Sequence, residues 1–167
     1  MNLVVGIDPG LTGALALLDE HGTLLEVGDM PVVDHQVNAA LLHGILDDWR
    51  AVVYEYPCVN TLTVVTELVG PMPKQGVTSV FSFGVSYGTI LGVVGARWPL
   101  HRVRPAVWKR AMGLTADKDA CRQRAIDLWP AKADQFKRKK DDGRAEAALL
   151  GLYLIEKGRK GSDADFR

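Results

Sequence analysis

Apolar and polar positions come in short blocks over the first thirty residues. Apolar runs at 3–7, 14–18 and 23–27 are separated by Asp8-Pro9-Gly10 and His21-Gly22. Runs of this length, punctuated by Gly and Pro, predict three strands joined by tight turns in an antiparallel meander. The period then lengthens: Val37, Ala40, Leu41, Leu42, Ile45 and Trp49 recur at helical spacing and predict an amphipathic helix over residues 36–49. Ala51-Val52-Val53-Tyr54 reads as a buried strand ending at Glu55. A helix followed by a strand after a meander implies a crossover that adds a parallel strand.

Pro57, Gly70, Pro71, Pro73 and Gly76 make residues 57–78 a long loop with a short irregular helix over 61–68. Residues 79–96 read as a helix whose Gly84, Gly88, Gly92 and Gly95 fall along one side, where small residues admit a close neighbour. Residues 100–103 form a short strand. Helices follow over 105–112, with Pro105 in its first turn, and over 118–129, which stops at Pro130. A basic loop over 132–140 leads to a last helix over 142–157. The pattern is α/β: a mixed five-stranded sheet, antiparallel meander plus parallel strands, with helices on both faces.

At 167 residues and 47% hydrophobic content the chain is long enough for one self-sufficient core, assigned to residues 1–157, with a polar, mobile tail over 158–167. Cys58 and Cys121 are too few for a disulfide framework and suit a reducing compartment. The apolar stretch at 84–98 is interrupted by Ser86, Tyr87 and Arg97 and reads as too short and polar to span a membrane. The chain opens at once on strand-like residues, without a basic head or cleavage site, as expected of a cytoplasmic protein.

Net charge changes the picture through its distribution. The total is zero, but residues 1–100 carry three bases against ten acids, and residues 101–167 carry seventeen bases against ten acids. Such asymmetry marks a chain that presents one basic surface, commonly to nucleic acid.

Three places put carboxylates where an apolar strand ends or a helix starts: Asp8, Glu55, and the group Asp141, Asp142 and Glu146. Carboxylates gathered at strand ends need a cation to stay ionised together. Oxygen ligands without a His/Cys cluster favour Mg²⁺ or Mn²⁺, and two such ions ~3.5–4 Å apart are the usual apparatus for attack of water on a phosphodiester. Asp142 and Glu146, four apart, share a helix face. Either Asp141 or Asp142 serves, since one can cap the helix while the other binds metal.

The ordered set of motifs resembles the RuvC-like Holliday junction resolvases of the RNase H-like superfamily, in particular the phage and prophage type. Gly6-Ile7-Asp8-Pro9-Gly10-Leu11-Thr12-Gly13 is similar to the family's first strand motif, Val53-Tyr54-Glu55-Tyr56-Pro57 to its second, and Asp141-Asp142-Gly143-Arg144-Ala145-Glu146-Ala147 to its acidic helix. Gln75-Gly76-Val77, the segment from Phe81 to Gly88, Pro105-Ala106-Val107-Trp108-Lys109 and Asp117-Lys118 resemble further stretches of phage members.

The resemblance implies a homodimer in the cytoplasm of a bacterium or a phage-infected host. It would bind four-way junction DNA and nick two strands symmetrically, with two Mg²⁺ or Mn²⁺ ions per site held by Asp8, Glu55, Asp142 and Glu146. The last acid is Glu where the best-known bacterial members have Asp, and Asp142 precedes it by four residues where three is usual. Tyr56 stands near where the family places a base-unstacking aromatic, and Lys109, Arg110, Lys118, Lys137, Arg138, Lys139 and Lys140 become phosphate contacts. Rival readings are another RNase H-like nuclease acting on RNA–DNA hybrid or structured RNA, and a non-catalytic junction-binding module.

Overall fold

The structure is a computed structural model that describes residues 2–52, 61–71, 76–115 and 117–159. Its centre is a five-stranded sheet in the order β3-β2-β1-β6-β7. The meander is β1 (Asn2–Asp8), β2 (Ala14–Asp19) and β3 (Leu24–Asp29); β6 (Thr61–Glu67) and β7 (Leu100–Val103) extend it in parallel beyond β1. A two-stranded hairpin, β4 (Val32–Val33) and β5 (Gln36–Val37), turns through Asp34 and His35, both at positive φ.

Side chains alternate across the sheet with period two. Leu3, Val5 and Ile7 of β1 face one side, where they share a core with Leu42 and Leu46 of α1 (Ala39–Val52) and with Ile90 and Val94 of α2 (Val77–Gly95). Val4 faces the other side and packs with Trp108 of α3 (Pro105–Ala111), Cys121 and Ala125 of α4 (Lys118–Leu128), and Ala148 and Leu149 of α5 (Asp142–Arg159). Helices thus cover both faces, as expected.

Helix α5 comes unusually near the sheet because both surfaces are stripped of bulk where they cross. A Cβ at Gly6 would fall inside the carbonyl oxygen of Ala147 and 2.7 Å from the Gly151 nitrogen, and one at Gly143 would meet the Asp8 carboxylate at 2.9 Å. Only glycine admits this approach.

Three expectations from the sequence need correction. Residues 51 and 52 belong to α1, whose start is delayed to Ala39 because residues 36–37 pair in the hairpin and the Asn38 side chain accepts from the Leu41 amide at 3.0 Å, as an N-cap does. Residues 53–60 lie outside the described residues, and with them the rest of the strand expected to end at Glu55. The parallel neighbour of β1 is β6, from a stretch read as loop and short helix. Five of its seven residues are β-branched, and the Thr66 hydroxyl donates to the Ile7 carbonyl at 3.0 Å. The prolines that suggested a loop flank this run and do not interrupt it. At the far end, α5 continues to Arg159, taking in two residues assigned to the tail; residues 160–167 are not described.

Candidate active site

Strands β1 and β6 run parallel with Ile7 opposite Thr66, so their last residues, Asp8 and Glu67, follow side by side at the carboxyl edge of the sheet. Both fall on the face covered by α5, in step with Val4 and Gly6 on β1 and Val65 on β6. The first turns of α5 bring Asp142 and Glu146 to the same place, four residues apart on one side of the helix. Burial pushes the Asp8 carboxyl well above its ordinary range, and the charges of Glu146, Glu67 and Asp142 push it further. Glu67 is also raised, first by burial, against the opposing effect of an indole hydrogen bond.

That bond comes from α3: Trp108, fully buried, donates Nε1–H to Glu67 Oε1 at 2.8 Å. The next residue, Lys109, places Nζ 2.8 Å from Glu146 Oε1. Burial opposes the Lys109 charge, yet the bond to Glu146 leaves its pKa above the ordinary lysine value. Lys118, at the start of α4, pairs with Asp142, which raises its pKa too. Two ammonium groups therefore balance part of the carboxylate charge. Among the described residues no three His, Cys, Asp or Glu side chains stand ready-made as a chelate. The oxygen-only donor set around a destabilised Asp8 nevertheless suits a hard divalent cation.

The two neighbouring aspartates have parted. Asp141 is 1% exposed and accepts from the Arg138 amide at 2.8 Å and from Arg138 Nη2 at 2.8 Å. Burial would raise its pKa, but these bonds hold it below the usual carboxylate range. It closes the turn before α5, whereas Asp142 is the one whose charge bears on Asp8.

Glu55 and Tyr56, named from the sequence, lie outside the described residues. Beside Asp8 stands Glu67, which the sequence reading left unnamed, while Trp108 entered that reading only as part of a motif. The available signal was a second β-branched run ending in an acid, the same pattern that singled out Asp8. Of the basic residues, Lys109 and Lys118 join the acids, Arg110 is exposed on α3, and Lys137 pairs with Asp134. Arg138 is committed to Asp141 through one edge of a guanidinium still half exposed, and Lys139 and Lys140 project into solvent beside the site. Buried Cys121 lies near Glu146 and Lys109, and burial pushes its thiol up to about 11, which leaves it protonated and inert.

No protein-family model and no curated protein sequence matches the chain. Among solved structures it is similar to Thermus thermophilus RuvC in complex with Holliday junction substrate, with a TM-score of 0.64 at 19% identity over 96% of this chain and 97% of that one. Thermus thermophilus RuvC in a second structure gives a TM-score of 0.60 at 20% identity over 95% and 96% of the two chains. With its mixed sheet, its helices and near-complete mutual coverage, the chain has the RNase H-like fold of RuvC.

Proposed function

We propose that this chain is a divalent-metal-dependent endonuclease that resolves four-way DNA junctions by paired, symmetric nicks. One observation carries the reading: Asp8, Glu67, Asp142 and Glu146 arrive from three separate elements at one edge of a RuvC-like sheet, with Lys109 and Lys118 among them. Those four carboxylates would hold two Mg²⁺ or Mn²⁺ ions, which supply Lewis acidity for in-line attack of water on the phosphodiester. Trp108 fixes the rotamer of Glu67. Lys109 and Lys118 keep the acids apart from one another and are positioned to turn toward the negative phosphate as it enters. Arg110, Lys139 and Lys140 extend the cationic surface along the flanking backbone.

Paired nicks need two active sites, and α2 supports a two-fold dimer. Val77 is 87% exposed and Phe81 72% exposed, Val85 follows on the same side, and Gly84, Gly88, Gly92 and Gly95 have open space above them. Length and composition alone would also let α2 cross a membrane, contrary to the sequence reading; Ser86, Ile90 and Val94 are its buried residues.

The test is cleavage of a four-way junction, a linear duplex, an RNA–DNA hybrid and a structured RNA, with Mg²⁺ and with chelator. The expected result is Mg²⁺-dependent nicking of the junction in symmetric pairs, lost in Asp8→Asn while junction binding survives. Preferential cutting of the hybrid or structured RNA assigns the same acids to another RNase H-like nuclease. Junction binding without cleavage under any divalent ion leaves a binding module only.

A further inference from the structure

On the α2 side of the sheet, past the end of β1, lies an open cavity of about 380 Å³, walled by Leu11 from the turn after β1 and by Thr78, Ser79, Ser82, Phe83 and Ser86 of α2. Its chemistry is unlike that of the acidic site. None of its six lining residues is charged, so it offers nothing to neutralise a phosphate or chelate a metal. Four hydroxyls, each able to donate and to accept, surround an apolar floor of Leu11 and Phe83.

Ser86 is 1% exposed, and its Oγ has no hydrogen-bond partner among the described residues. A buried hydroxyl left unpaired carries a standing free-energy cost that an arriving polar group relieves. The wall is also tied to the acids. Phe83 stacks on Tyr87 at 6.0 Å between centroids, and the Tyr87 hydroxyl donates to the Glu67 carbonyl at 2.8 Å; Leu11 follows Asp8 by three residues.

We infer that this cavity receives an unpaired nucleobase from the nucleotide next to the scissile phosphate. The inference rests on the junction-nuclease reading and adds a second recognition element to that site. A base is flat, uncharged, apolar on its faces and lined with donors and acceptors on its edges, which matches hydroxyls over an apolar floor. Strand exchange points leave bases short of stacking neighbours, so extruding one there costs less than from a continuous duplex.

The experiment uses four-way junctions carrying a single abasic site, moved one nucleotide at a time across the positions flanking the cut. Affinity is read in Ca²⁺ and nicking in Mg²⁺. In the parent protein one position is expected to lose about tenfold in affinity when the base is removed, about 1.4 kcal/mol. Ser82→Phe, which fills the cavity, is expected to shrink that loss to less than threefold, and Ser86→Ala to reduce it in part, each with a melting curve that confirms folding. Should Ser82→Phe not fold, Ser86→Ala and a 2-aminopurine reporter at the sensitive position, whose emission would change less in the variant, carry the same decision.

A parent protein that prefers and nicks the junction but shows no abasic penalty at any flanking position overturns the inference and leaves the nuclease reading standing. The same holds if the penalty persists undiminished in the folded variants. A parent that fails to prefer the junction over duplex removes the nuclease reading itself, and this inference with it.

Discussion

On one face of the sheet, α5 lies against β1 with carbonyl and glycine in direct contact, and ten of its residues are buried. On the other, α2 buries only Ser86, Ile90 and Val94 and leaves Phe81 and Val77 in solvent. The two helices are of similar length, 18 and 19 residues, so length does not account for the difference. On the proposed function, the sealed α5 face holds the carboxylates at fixed separation, where any slack would let like charges drift apart. The α2 face is unfinished in the way a surface is when another molecule completes it.

The comparison is tested most severely at the acids. Glu67→Gln is expected to lower junction nicking by about three orders of magnitude, about 4 kcal/mol, with affinity little changed. Glu55→Gln, made in parallel, reads whether the acid named from the sequence also takes part. Equal losses in both variants would place Glu55 in the active site beside Glu67, and a fully active Glu67→Gln would dismantle the cluster of four acids.

Next in size is a pair of glycines. Gly6→Ala drives a methyl into the backbone of α5 and is expected to destabilise by about 3 kcal/mol or more. Gly88→Ala on α2, where nothing stands within 4 Å, is expected to leave the melt unchanged or raised by up to about 1 kcal/mol of stability in the isolated subunit. Chemical denaturation of both reads the contrast directly. If Gly6→Ala melted like its parent, the close approach of α5 would not be real.

A smaller effect is expected from Phe81→Glu, which places a charge in the exposed apolar stripe. Sedimentation should show dimer dissociation moved to at least tenfold higher concentration, with the metal-free fold intact. A parent that sediments as a monomer with and without junction DNA would mean that something other than a second copy covers α2.

The gentlest effect is a drift with pH. Asp8 and Glu67 bind their protons more tightly in the folded chain than in the unfolded one. Stability from these groups is therefore fullest in acid, below the unfolded carboxylate range, and is lost as pH rises through their raised values. Asp141 and Asp29 act oppositely, with stability present above that range and lost as pH falls through their lowered values. In chelator, Asp8→Asn is expected to melt above its parent at neutral pH and to show a shallower fall between pH 4 and 8. An identical slope in parent and variant would mean that Asp8 is not strained by its neighbours.

Much of this was legible beforehand, for reasons that vary by element. The meander and the strand at Leu100–Val103 depend on local alternation and turn residues, and both lie where the pattern put them. Asp8 and Glu146 could be singled out because each terminates or opens an element visible on its own. The strand before Glu55 was misread because Val52, apolar and β-branched, mimics a strand that α1 overrides, while Gly70 and Pro71 masked the strand just before them. The separation of Asp141 from Asp142 depends on which of two adjacent side chains meets Arg138, a tertiary fact without a periodic trace. Trp108 was quoted only as part of a motif, since its bond to Glu67 spans 41 positions.

The near-contact of Gly6 with Ala147 and Gly151 also governs when the site comes into being. Asp8 is made some 130 residues before Asp142 and Glu146. Until α5 can settle into the groove beside Gly6, the growing polypeptide carries half a charge cluster and no complete set of ligands. On the proposed function, a chain stopped before α5 would lack two of the four acids and cut no DNA, and the docking of α5 would be the arming step.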